Sequence, residues 1–298
     1  MSDRPSRDRN QSNNRKPSRG DRDNRGERGD RADRGGRPDR RGGQGDRRHA
    51  QRAGAEHSSS NRSAPQRSGF REERLNKRLT EPDLPADIDI HDLDPMVLQD
   101  LKVLSKDNAE GVAKHMIMAA TLMEDDPQLA LRHAQAAKNR AGRVAVARET
   151  NGIAAYRAGE WKEALAELRA ARRMSGGPGL LAVMADCERG LGRPEKAVEL
   201  GRSEEARQLD AEGKVELAIV VAGARLDMGQ VDAAVVTLQR LEPSLDATGP
   251  IAARLSYAYA DALAAAGRVD EAKTWFSHAD KIDEDELLDA ADRLEELG

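Results

Sequence analysis

Side chains do chemistry when nucleophiles, acid–base pairs or metal ligands recur at spacings that bring them together. Few places in this sequence offer that. One is Asp87-Ile88-Asp89-Ile90-His91-Asp92-Leu93-Asp94, where carboxylates crowd a histidine as in a metal-binding run. No second His stands nearby, and Ile88, Ile90 and Leu93 alternate as in an extended segment docking on helices, so the run reads as an acidic linker. Cys187, the only cysteine, lies between Asp186 and Glu188 inside a helical pattern. Neighbouring carboxylates raise a thiol pKa, which suits an inert core cysteine and not a nucleophile. His115 and His133 read as ordinary helix-surface or packing residues. No glycine-rich loop follows a strand, and no strand is evident, so nothing offers to cradle a nucleotide. The sequence therefore predicts no catalytic residue, no metal and no cofactor: not an enzyme.

The other chemistry on offer is ionic. Residues 1–70 contain 19 Lys+Arg against 10 Asp+Glu, leaving 30 basic and 43 acidic residues in the rest of the 298-residue chain. A balance of about +9 joined to one of about −13 suggests an arm made for a polyanionic partner. Eighteen of those 19 basic residues are arginine, many followed by glycine, as at Arg19, Arg25, Arg28, Arg34 and Arg41. With Arg37, Arg40, Arg47 and Arg48 they could meet phosphates bidentately and stack on bases. The segment resembles the arginine-glycine tracts of RNA-binding proteins. Aromatic residues are missing from it before Phe70, and Asp recurs beside Arg, so a merely solubilising, self-neutralising tail is the competing reading.

The elements that would position any site divide the chain in two. From Ser2 to Gly69 there is no Val, Ile, Leu, Met, Phe, Trp, Tyr or Cys. Such a stretch cannot offset the entropy of ordering its backbone, so residues 1–69 are expected to be a disordered tail. A linker follows over 70–94, and residues 95–298 carry apolar side chains at helical spacing. Neither an 18-residue apolar run nor the apolar core of a signal peptide is present, and the many tail aspartates argue against a transit peptide. The expectation is a cytoplasmic protein with no membrane partner.

Within 95–298 one pattern recurs: an apolar helix, a Gly, two polar residues, an Ala, and another apolar helix. It is clearest at Gly152 through Gly159, Trp161 and Ala164, and returns at Gly192–Ala197, Gly229–Ala234 and Gly267–Ala272. A copy without glycine stands at Asp125–Ala130, and the turn-to-turn spacings are 34, 33, 37 and 38 residues. Gly supplies the left-handed residue that ends one helix, Pro127 and Pro194 suit helix starts, and the Ala lets paired helices approach. Trp161, Leu168, Trp275 and Phe276 would fill the space between pairs. Flanking caps are expected from Asp94-Pro95 with Met96, Leu98, Leu101 and Leu104, and from a helix over 284–297 with Leu287, Leu288, Ala291, Leu294 and Leu297 inward.

This spacing looks like tetratricopeptide (TPR) repeats, over roughly residues 108–282. With its arginine-rich tail, the chain is similar to functionally undefined TPR proteins of high-GC bacteria. Where such units usually place a Trp in the first helix, Arg148, Leu181, Ala218 and Ser256 stand instead. The resemblance implies an all-α, superhelical solenoid of about five helix pairs with capping helices. It also implies that the first helix of each pair lines a concave groove. Carried onto this chain, the groove residues are Glu149, Tyr156, Arg157, Asp186, Arg189, Asp227, Arg254, Tyr257 and Asp261, facing a protein or peptide. The Lys and Asn pairs by which some TPR domains clamp a chaperone's C-terminal carboxylate are absent. The function expected is an adaptor whose tail binds RNA or another polyanion. A pure scaffold with a solubilising tail and a DNA-associated regulator remain the alternatives.

Overall fold

The computed structural model describes residues 72–298, apart from 74 and 77. The expected tail, with its nine candidate arginines from Arg19 to Arg48, lies outside the described residues. All regular structure among the described residues is helical, with no strand. After a 3₁₀ turn at Ile90–Asp92 come α1 (Pro95–Leu101), α2 (Lys106–Thr121), α3 (Pro127–Ala141), α4 (Ala145–Arg157) and α5 (Trp161–Ser175). Then follow α6 (Leu181–Gly190), α7 (Pro194–Gly201), α8 (Glu204–Arg207), α9 (Ala211–Asp227) and α10 (Val231–Gln239). The chain closes with α11 (Pro250–Ala265), α12 (Val269–Ile282) and α13 (Ala290–Glu296).

Local chemistry sets these boundaries. Gly159, Gly192, Gly229 and Gly267 all have left-handed backbones, with φ from 69° to 77°. At each, the following N–H reaches back five residues to a helix carbonyl: Glu160 to Ala155, Arg193 to Glu188, Gln230 to Arg225 and Arg268 to Leu263, at 2.8–2.9 Å. This is the Schellman closure, which satisfies carbonyls the helix leaves unpaired and turns the chain sharply. The copy without glycine starts its helix differently. Pro127 occupies the first turn of α3, and the Asp126 carboxylate accepts from the Leu129 N–H at 3.0 Å.

Those tight turns fold consecutive helices back on one another as α2/α3, α4/α5, α6/α7, α9/α10 and α11/α12, and each pair packs on the next. The interior is accordingly a chain of local clusters, each drawn from helices adjacent in sequence. The longer spacings have plain causes: α8 is inserted after the third pair, and a ten-residue connection joins α10 to α11.

Small residues govern how closely a pair can approach. Ala130, Ala164, Ala197, Ala234 and Ala272, one per pair, are all fully buried. Gly152 on α4 faces Leu168 on α5 so closely that a Cβ there would lie 2.6 Å from the leucine Cγ. Larger side chains, Leu168 and Phe276 among them, fill the remaining interior.

The two caps depart from expectation. α1 starts as foreseen, with the Asp94 carboxylate accepting from the Met96 N–H at 2.7 Å and Leu101 buried. Met96 itself, however, points to solvent, and the helix ends before Leu104. At the other end the helix is confined to α13, with Ala290 and not Ala291 buried, and Leu287 is 74 % exposed. The Asp283 carboxylate takes the Leu288 N–H at 2.7 Å, and Glu286 adopts φ +51°. That side-chain bond competes with helix formation, so 283–289 turns where periodicity suggested a helix.

The linker is anchored by a contact that periodicity does not reveal. Glu81 receives a forked pair of hydrogen bonds from Arg140 of α3, its Nε lying 2.9 and 3.0 Å from the two oxygens. Its carboxylate also lies 3.7 Å from Nε2 of His115 on α2. His115 and His133 are both buried, with their Nδ1 atoms 3.0 Å apart. If His133 donates to His115, the other nitrogen of His115 keeps its proton toward Glu81. The histidines are thus core partners, not surface residues.

Two outcomes follow. Replacing Ala164 with Leu should overpack the α4/α5 contact and cost about 1–3 kcal/mol of stability in chemical denaturation; an unchanged midpoint would contradict the pairing. The second concerns acid. Burial pushes the pKa of His115 down to about 4; Glu81 opposes the shift, while His133 and Arg140 add to it. Burial, then Arg132, likewise lowers that of His133. A depressed histidine contributes stability that is complete above its unfolded value of about 6.5 and is lost as pH falls toward 4. The unfolding free energy should therefore fall by about 1–2 kcal/mol as pH is lowered from 6.5 to 5, and His115→Asn should flatten that slope. A flat wild-type profile over that window would show that the pair is not buried neutral.

Candidate functional site

The first helices of the last four pairs, α4, α6, α9 and α11, pack successively side by side. Their facing positions repeat at about one unit, so polar side chains on one helix meet those on the next. Tyr156 near the end of α4 donates its phenol hydrogen to Asp186 Oδ2 at 2.7 Å. Arg189, one turn after Asp186 on α6, donates to Asp186 Oδ1 at 2.8 Å and, through Nε, to Asp227 Oδ2 on α9 at 2.8 Å. One hydrogen-bonded chain thus crosses three first helices. Gly223 on α9 leaves room for it, since a Cβ there would come 2.8 Å from Arg189 Cζ.

The row continues on α11. Arg254 donates to Glu216 of α9 at 2.8 Å, and Asp261 accepts from Arg293 of α13 at 2.7 Å. Arg293 lies over the Phe276 ring, 5.6 Å from its centroid. The phenol pKa values of Tyr156 and Tyr257 are pushed up, by burial first and then by Asp186 and Asp289 respectively, so both remain hydrogen-bond donors. Burial works against the Arg189 charge, but Asp227 and Asp186 outweigh it and hold its pKa above the ordinary value.

Two clefts open beside this row. One, of about 580 Å³, is lined by Trp161, Asp186, Arg189, Gly190, Gly192, Pro194 and Asp227. The other, of about 370 Å³, has Ile219, Leu226 and Tyr257 among its apolar lining, with Asp186, Arg189, Arg254 and Asp261 at its polar edge. Asp186 and Arg189 belong to both.

Of the nine candidate groove residues, Tyr156, Asp186, Arg189 and Asp227 are joined directly, and Arg254, Tyr257 and Asp261 line the second cleft with Asp186 and Arg189. Glu149 and Arg157 line neither cleft. Glu149 has no hydrogen bond or ion pair among the described residues, and burial raises its pKa. Arg157 pairs loosely with Glu124 at 3.4 Å. Trp161 belongs to the site as well as to the core, its ring lying against Gly190 and edge-on to Tyr156. Glu216 and Arg293 belong to it too. Glu216 stands 38 residues from Arg254, the length of one repeat, and that interval is the signal that could have found it.

The groups the row presents are hydrogen-bonding and charged side chains. No group of three or more His, Cys, Asp or Glu among the described residues could hold a metal ion. Cys187 is buried, and burial, then Asp186 and Glu188, pushes its thiol up to about 12. Ser256 and His278 meet at 2.9 Å, at 2 % and 8 % exposure, inside the core. Among the described residues the His91 ring bonds only to Asp89, at 2.7 Å and in solvent. No helix among the described residues is long and apolar enough to cross a membrane. Compared with known proteins, the sequence matches no family model and no curated protein.

Proposed function

We propose that this chain is a cytoplasmic adaptor of the tetratricopeptide type, without catalytic activity of its own. It holds a peptide segment of a partner protein along the row formed by α4, α6, α9 and α11. The observation that carries this reading is the continuity of the row: aromatic and charged side chains from four successive first helices, beside two adjoining clefts.

The row also limits the ligand. Its arginines are already committed to carboxylates, so the accessible excess charge is negative at Asp186, Asp227 and Asp261. A peptide carrying Lys or Arg can share those carboxylates, while an apolar side chain enters the space between Ile219, Leu226 and Tyr257. Exchange of half-exposed bonds of this kind gains little each, so affinity rests on several contacts along an extended segment. The arginine-rich residues 1–69 would engage RNA or another polyanion, a reading supported by their composition and their excess of about nine positive charges.

The test is selection from a displayed random peptide library against the full chain, followed by affinity measurement on variants. Enriched peptides should combine basic and apolar residues and bind with Kd in the micromolar range, roughly −8 kcal/mol. Replacing Tyr156 and Asp227 together with Ala should weaken them about tenfold or more while circular dichroism is unchanged. Equal binding to that variant would move the site off the first helices.

A further inference from the structure

α9 carries opposite charges on opposite sides. Asp227 joins the peptide row. Arg225, two residues earlier and so about 200° away around the helix, faces the second helices α7 and α10 instead. Most arginines of the helical body have carboxylate partners, as Arg148, Arg169 and Arg189 do. Arg225 does not. Its one hydrogen bond among the described residues runs from a terminal nitrogen to the Ala233 carbonyl of α10 at 3.0 Å, and its Nε is buried without an acceptor.

The charges that act on its titration are like charges, those of Arg202 and Arg240. Arg202 caps the C-terminus of α7 and Arg240 that of α10, and neither has an ion-pair partner among the described residues. Packing brings them to Arg225. Gly201 lies so close to Val221 of α9 that a Cβ would come 2.5 Å from a valine methyl, which brings the end of α7 against α9 one turn before Arg225. Ala233, which Arg225 touches, lies two turns before Arg240 on one side of α10. The electrostatics agree: burial lowers the Arg225 pKa, Arg202 and Arg240 lower it further, and no carboxylate opposes them.

Helix C-termini favour cations, which accounts for Arg202 and Arg240 one at a time. It does not account for three arginines that act on one another with no ion-pair partner among the described residues, nor for a buried Nε–H lacking an acceptor. A buried donor of that kind is costly unless something fills it. An oxyanion would supply the missing acceptors and the missing negative charge together.

We propose that Arg202, Arg225 and Arg240 form a binding site for a phosphate group on the α7–α9–α10 side of the helix pairs. Arg225 presents its Nε–H and a terminal N–H as a fork, and the two exposed arginines close over the remaining oxygens. All three side chains donate hydrogen bonds and accept none, which suits the oxygens of a phosphate. The phosphate can be free or part of a single-stranded nucleic-acid backbone. The site stands independently of the peptide row.

The experiment uses the full chain labelled with ¹⁵N-arginine, with the Arg225 Nε–H resonance assigned by its loss in Arg225→Gln. That signal reports on this site alone, whatever the tail arginines bind. Inorganic pyrophosphate should shift it to saturation. The exposed Arg240→Gln change, which leaves the buried contacts intact, should weaken the titration by about tenfold, or 1.4 kcal/mol. A single-stranded oligonucleotide forms the second arm. Saturation at lower phosphate concentration than with pyrophosphate assigns the site to a nucleic-acid backbone, whereas response to pyrophosphate alone assigns it to free phosphate. An Arg225 resonance that neither probe moves, or an identical titration in Arg240→Gln, overturns the proposal.

Discussion

Two helices can lie against each other only as closely as their side chains allow, and here the closest contacts are made by residues with at most a methyl group. Ala164, Ala197, Ala234 and Ala272 are fully buried, and Gly152 sits where even a methyl would collide with Leu168. Close approach brings many atoms into dispersion contact and removes apolar surface from water, which must offset the cost of ordering each pair. The Schellman turns at Gly159, Gly192, Gly229 and Gly267 are the other half of the constraint, because they reverse the chain within a few residues and fix the register in which the small residues meet.

Everything on the surface inherits that register. Four of the five pairs are closed by the same glycine turn, so successive first helices lie side by side and side chains roughly one repeat apart come into reach. Arg189 and Asp227 are 38 residues apart, as are Arg254 and Glu216, and Tyr156 and Asp186 are 30 apart. The rotamers of the row are held by bonds to neighbours, an order that would lower the entropy cost of the proposed peptide binding. On the other side of α9, the charges acting on Arg225 are those of Arg202 and Arg240, at the C-terminal ends of α7 and α10.

Much of this was legible in the sequence because the determinants are local. A Gly two or three residues before a helix start, and an Ala three residues into that helix, are read without knowing what they touch. The candidate groove positions came from the resemblance to tetratricopeptide repeats, and the structure places seven of the nine along the two clefts or in the hydrogen-bonded chain. The rest was hidden for physical reasons. Nothing local marks Glu81 as the partner of Arg140, 59 residues away, or pairs His115 with His133 inside the core. The caps misled because periodicity assigns Leu287 and Met96 to an apolar face, whereas each lies at an end with no further pair to cover it. At Asp283 a side chain simply outcompeted the helix for a backbone N–H. The closed state of the row was equally invisible: Arg189 was legible as a charge for a ligand, and not as one already held by two aspartates.

The central claim is that the stack of pairs presents α4, α6, α9 and α11 to its partner. Its most direct test is a backbone amide chemical-shift map of the full chain, recorded with and without a library-selected peptide. The account predicts that perturbations fall on those four helices, concentrated around Tyr156, Asp186–Arg189, Gly223–Asp227 and Tyr257–Asp261, with α5, α7, α10 and α12 little changed. Perturbations confined to the second helices, or to residues 1–69, would contradict it.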